Sequence, residues 1–128
     1  MHPLVALALI AAAFAAPAAA STAPIAFGRT GGNIRPLTVT IARDGTITAR
    51  DAQGLRPRLS PDAVAGLLKL AAAERFSALP AAVRCTGTNP DVAAGWIRVG
   101  QTVSVRGGCR PAFTQLYAVL SAAVGLPG

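Results

Sequence analysis

Leu37-Thr38-Val39-Thr40-Ile41-Ala42-Arg43-Asp44-Gly45-Thr46-Ile47-Thr48-Ala49 is the stretch that decides how this chain folds. Leu37, Val39 and Ile41 alternate with polar or small neighbours, the pattern of a strand with one buried face. Asp44-Gly45 then reverses the chain. A two-residue turn sets Ile41 opposite Thr48 and breaks the apolar face. A three-residue loop, Arg43-Asp44-Gly45, pairs Ile41 with Ile47 and Val39 with Ala49, and uses Gly45 in the left-handed position such loops favour. The second register is therefore expected. It sets Thr40 beside Thr48 on the outer face, which reads as a solvated surface or a binding surface.

Working outward, Ile25 and Phe27 alternate within Ile25 to Arg29 and predict a first strand, while the paired glycines of Thr30 to Pro36 demand a loop. Gln53 to Leu59, with Gly54 and Pro57, reads as a connection. Ser60-Pro61-Asp62 starts a helix, with a hydroxyl cap, a proline whose missing N–H is harmless and an acid at the positive dipole end. Val64, Leu67, Leu68 and Ala71 form its apolar stripe, which must face the sheet. Phe76 and Leu79 extend the anchor before Pro80 blocks continuation.

Cys85 to Pro90 reads as a loop, and Gly95 to Val99 with Thr102 to Arg106 as a second hairpin. Two registers compete there. A tight turn groups Trp96, Val103 and Val105, whereas a three-residue loop groups Ile97, Val99, Val103 and Val105. Burial usually sets register, so the second is expected, with Trp96 outward beside Arg98 and Arg106. Trp96 is then either an interaction hot spot or a ring packed under a loop or basic side chains. Pro111 opens a final helix with Phe113, Leu116, Tyr117, Leu120 and Val124 on one face, and Gly125 ends it. The expected fold class is α+β: an antiparallel sheet of four to five strands, two hairpins plus an N-terminal strand, covered by two helices.

Residues 1–20 read as a signal peptide. The apolar run from Leu4 to Ala16 is followed by Pro17 and Ala18-Ala19-Ala20, an Ala-x-Ala cleavage site before Ser21. The run is shorter than the ~20 residues of a spanning helix, so cleavage and export, periplasmic or secreted, are expected without a membrane anchor. Residues 21–128 are then a single domain, expected to be a monomer.

The one histidine, His2, lies in the signal, so no histidine follows residue 20. Cys85 and Cys109 are an even pair in an exported chain and predict a structural disulfide contributing roughly 3 kcal/mol. They are far from the Cys-x-x-Cys spacing of a redox pair, and two thiols are too few for a metal site. No cofactor or metal is expected.

The net charge is +7, from 12 basic and 5 acidic residues, and all but Lys69 of the basic residues are arginine. Such a field attracts anionic partners, although scattered arginines amid so much alanine also fit a GC-rich coding bias. No specific nucleic-acid signal is present. The acids stand apart along the chain without a spacing that suggests acid and base catalysis, and Gly31-Gly32 lacks the lysine and helix of a phosphate loop. The chain is expected not to be an enzyme.

Ile25-Ala26-Phe27-Gly28-Arg29-Thr30-Gly31-Gly32, the strand into Arg43-Asp44-Gly45, Leu59-Ser60-Pro61 opening a helix, and Ala73-Glu74-Arg75-Phe76-Ser77-Ala78-Leu79-Pro80 at its end together resemble the emfourin family. Those proteins are small inhibitors of thermolysin-like metalloproteases such as protealysin. The chain departs from their pattern in its export signal, its short second hairpin turn and its cysteines. The resemblance implies an emfourin-like α+β domain that binds a metalloprotease. The candidate contact loop is Gly31-Gly32-Asn33-Ile34-Arg35, where the glycines permit a tight projection and Ile34 is either an apolar anchor or a plug for the sheet edge. Trp96 is a further candidate contact. The alternative is a non-inhibitory cell-envelope protein that binds anionic polymers through its basic surface.

Overall fold

The structure, a computed structural model, describes residues 23–127. The signal-peptide reading of residues 1–20 lies outside them. Six strands, β1 (Ile25–Thr30), β2 (Leu37–Ile41), β3 (Ile47–Arg50), β4 (Ala82–Arg84), β5 (Ala94–Val99) and β6 (Gln101–Arg106), form one sheet in the order β3-β2-β1-β5-β6-β4. Among the described residues two α-helices, α1 (Pro61–Ala73) and α2 (Pro111–Val124), pack with this sheet in an α+β fold.

The first hairpin has the expected register, with Ile41 opposite Ile47, Val39 opposite Ala49 and Thr40 opposite Thr48. Ala42 N–H donates to Thr46 O at 2.9 Å and Gly45 N–H to Ala42 O at 2.9 Å, closing a three-residue loop with Gly45 at φ +91°. The Asp44 carboxylate accepts the Thr46 N–H at 2.9 Å, and that bond holds its pKa below the ordinary aspartate value. Gly45 also does something no local pattern announces. Its carbonyl accepts the Leu59 N–H at 2.8 Å, and a Cβ there would lie 1.8 Å from Leu59 O. The hairpin loop is thus pressed against the segment that leads into α1.

Ser60 caps α1 as its sequence implies, its Oγ accepting the Ala63 N–H at 3.1 Å. The helix buries Val64, Leu67 and Ala71. Arg75 follows in the left-handed region at φ +54°, and the chain turns so that Phe76 drops into the core at 2% exposure. Gly125, at φ +82°, ends α2 after Phe113, Leu116, Leu120 and Val124 have entered the same core.

The second hairpin sets Ile97 opposite Val103 and Gly95 opposite Val105, so the expected grouping of Ile97, Val103 and Val105 holds. All three are buried, and Val99 is half-buried at the turn.

Two expectations are corrected. The sheet has six strands instead of four to five, and it is mixed, because β4 runs parallel to β6 with Val83 beside Val105. Three residues after Pro80 are too few to show alternation, and pairing through main-chain groups leaves no mark on side-chain pattern.

Ile25, Phe27, Val39, Ile41, Ile97 and Val103 line the face beneath the helices and are fully buried. Burial of such side chains stabilises by about 1.5–3 kcal/mol each. Phe27 on the central strand meets Tyr117 of α2 edge to face, with ring centroids 5.6 Å apart. The opposite sheet face has no helix over it among the described residues.

Candidate functional site

Gly31 and Gly32 both adopt positive φ, at +74° and +62°. A side chain is strained in that region, and at Gly32 it has no room either. A Cβ on Gly32 would lie 2.4 Å from Asp91 O and 2.8 Å from Ala93 N, so the glycine loop is seated directly on the loop that precedes β5. Asn33 N–H donates to Asp91 O at 3.3 Å and ties the two together.

The loop underneath is itself braced. Asn89 Oδ1 accepts the Asp91 N–H at 2.9 Å, and Val92 N–H donates to Asn89 O at 3.0 Å. From β6, Arg106 Nη1 donates to both Pro90 O and Val92 O at 3.0 Å. Charge-assisted bonds to carbonyls of this kind hold a loop more firmly than neutral ones. The disulfide lies close by, joining Cys85 at the end of β4 to Cys109 after β6 with a Cα separation of 5.6 Å. Gly107 packs on it so closely that a Cβ would fall 2.7 Å from Cys85 Cβ.

At this end of the sheet the two loops carry Ile34, 38% exposed, and Val92, 44% exposed. Ile34 is therefore partly exposed, and Gly31, Gly32, Asn33 and Arg35 beside it are exposed as well. Beneath the loops, Arg29, Ala93, Gly95, Phe113 and Tyr117 line a hollow of about 200 Å³. Tyr117 donates to Gly28 O at 3.2 Å, and burial pushes its phenol above the ordinary tyrosine pKa, partly opposed by the Arg29 charge. Arg29 Nε is buried without a hydrogen-bond partner.

Trp96 belongs to a different surface. It lies opposite Gly28 on the uncovered sheet face, half-buried, with Cζ2 3.0 Å from where a Cβ on Gly28 would stand. The candidate contacts thus fall into a loop group, Gly31 to Arg35, and a sheet-face residue.

The exposed Val92 and the bracing role of Arg106 escape the sequence reading. Asn89-Pro90 marks a loop, but nothing local says that residues 89–93 support residues 31–35. That juxtaposition arises only because β1 and β5 are neighbours, with Thr30 opposite Ala94. Among the described residues no group of three His, Cys, Asp or Glu side chains comes together to hold a metal ion.

Fold and site together define an α+β domain that presents a braced, partly apolar loop pair at one end of a mixed sheet. Comparison with protein families, curated proteins and solved structures finds no match to the chain.

Proposed function

We propose that the domain is an exported binding protein that inhibits a thermolysin-like metalloprotease, with Gly31 to Arg35 as its contact loop and Ile34 as the apolar anchor. The observation that carries this reading is the state of the loop before binding. Ile34 is exposed on a backbone already held by Gly32 against Asp91 and Ala93 and by the Asn33 hydrogen bond. A loop ordered in advance loses less conformational entropy on docking, so more of the contact energy appears as affinity. Val92 on the supporting loop is a second exposed apolar side chain at this end of the sheet. The resemblance of Ile25 to Gly32 and of Ala73 to Pro80 to the emfourins supplies the target class.

The disulfide between Cys85 and Cys109 suits an oxidising compartment, where such bonds persist, and agrees with export. The test is inhibition of a panel of thermolysin-like proteases by the purified protein and by Ile34→Ala. The variant is expected to inhibit at least about tenfold more weakly, as for a buried interface anchor, with a thermal midpoint close to that of the parent. Unchanged potency with a lowered midpoint would make Ile34 a structural plug, and no inhibition across the panel would dispose of the inhibitor reading.

A further inference from the structure

We infer that the uncovered face of the sheet is a second binding surface, distinct from the loop, and that it takes a linear anionic polysaccharide laid across the strands. The register carries the argument. Arg50 pairs with Thr38, Thr38 with Gly28, Gly28 with Trp96, Trp96 with Ser104, and Ser104 with Ala82, a single row through all six strands. The next row runs Thr48, Thr40, Ala26, Arg98, Thr102. With strands ~4.8 Å apart, the first row spans about 24 Å, the length of several sugar rings.

Three features of this face favour one ligand chemistry. Its charge is of one sign: the strands bear Arg50, Arg84, Arg98 and Arg106 on this side, and none of the five acidic residues lies on any strand. Its centre is an aromatic platform, because Gly28 on β1 has no side chain to hold the Trp96 ring off the sheet. On either side of that ring the face is hollow. One depression of about 350 Å³ is lined by Thr38, Thr40, Thr48 and Arg50, and another of about 290 Å³ by Ala82, Arg84, Ser104 and Arg106.

A sugar ring offers an apolar face to the indole, hydroxyls to the threonines and serine, and acidic substituents to Arg50, Arg84 and Arg98, since Arg106 is already bonded to Pro90 O and Val92 O. A single-stranded nucleic acid would also meet positive charge. It binds by stacking successive bases on successive aromatics, however, and among the described residues Trp96 is the only aromatic on this face. Short hydroxyl side chains beside a lone ring match a glycan better.

Trp96 is also the only tryptophan of the chain, so its fluorescence reports the surface directly. The purified protein is titrated with polygalacturonate, with neutral dextran and with oligo(dT), at low and at physiological salt. Saturable change of the Trp96 emission with polygalacturonate, none with dextran, and weaker binding of oligo(dT) are expected. The double variant Arg50→Gln/Arg98→Gln should bind polygalacturonate roughly 3- to 10-fold more weakly, the range of two exposed ion pairs. Lys69→Gln/Arg75→Gln, which removes the same charge from the helical side, should bind as the parent does, and so should Ile34→Ala.

Equal weakening by both charge-matched pairs would reduce the effect to net charge and overturn the site. Tighter binding of oligo(dT) would reassign the face to nucleic acid. A concentration-dependent dimer in sedimentation that dissociates only on Trp96→Ala would assign the face to a second copy of the chain. The loop proposal stands or falls separately, since its readout is protease inhibition and its variant is Ile34→Ala.

Discussion

Replacing Gly45 by alanine should destabilise the domain far more than the same change at Gly54 or Gly100, glycines of like backbone conformation with open space around them. Gly45 sits at φ +91°, and a Cβ added there would stand 1.8 Å from Leu59 O and 2.8 Å from Leu59 C. Those atoms are backbone, so relief requires the hairpin loop and the segment before α1 to separate. The contacts between them are then at risk: Leu59 N–H to Gly45 O at 2.8 Å and Ile47 N–H to Pro57 O at 3.0 Å. Left-handed strain costs about 1–2 kcal/mol, and each lost backbone hydrogen bond about 0.5–1.5 kcal/mol. Gly45→Ala should therefore cost about 2–5 kcal/mol, a large part of the ~5–15 kcal/mol that stabilises a domain.

Gly54 and Gly100 supply the controls, because both lie at φ +77° with no atom within 4 Å of an added Cβ. Their alanine variants should show the strain alone. Urea unfolding, followed by Trp96 fluorescence and by far-ultraviolet circular dichroism, gives the three values in one assay. A Gly45→Ala cost within about 0.5 kcal/mol of the controls, the usual size of a neutral surface change, would show that the loop does not press on Leu59.

Replacing Cys85 and Cys109 by serine should lower stability by about 2–4 kcal/mol, and free-thiol titration of the unreduced protein should find none. Measurable thiol would contradict the bond. Tyr117→Phe removes the hydrogen bond to Gly28 O and should cost about 1 kcal/mol near neutral pH. Because burial raises the Tyr117 pKa in the folded state, the unfolded chain loses its phenolic proton first. Stability is therefore expected to fall as pH rises through 10.0, and Tyr117→Phe should flatten that fall, read from urea midpoints on either side. Intact mass of the exported product should place its first residue at Ser21, and a mass retaining residues 1–20 would end the signal-peptide reading.

Much of the fold is legible because its information is local. The alternation of Leu37, Val39 and Ile41 with Gly45 in reach selects one hairpin register, since a shift by one residue turns every apolar side chain outward. Ser60-Pro61-Asp62 and Gly125 mark helix ends by satisfying or releasing main-chain groups within a turn. The candidate loop is legible as a loop for the same reason: paired glycines at positions 31 and 32 announce a backbone that other residues avoid. What the loop rests on is not.

By itself, then, the sequence determined the first hairpin register, both helices with their buried stripes, the cysteine pair and the presence of a glycine loop at residues 31–32, all features written within a few residues or by composition. Burial of Ile97, Val103 and Val105 in the folded sheet chose between the two registers of the second hairpin. Tertiary structure alone decided that β1 lies at the centre of the sheet, that Ala82–Arg84 joins β6 in parallel, that Arg106 braces residues 90–92, and that Trp96 rests on Gly28. The physical reason is common to these. They depend on main-chain hydrogen bonds and close backbone approaches between segments distant in the chain, and such contacts select small residues or none in particular, leaving no periodic side-chain pattern from which to read them.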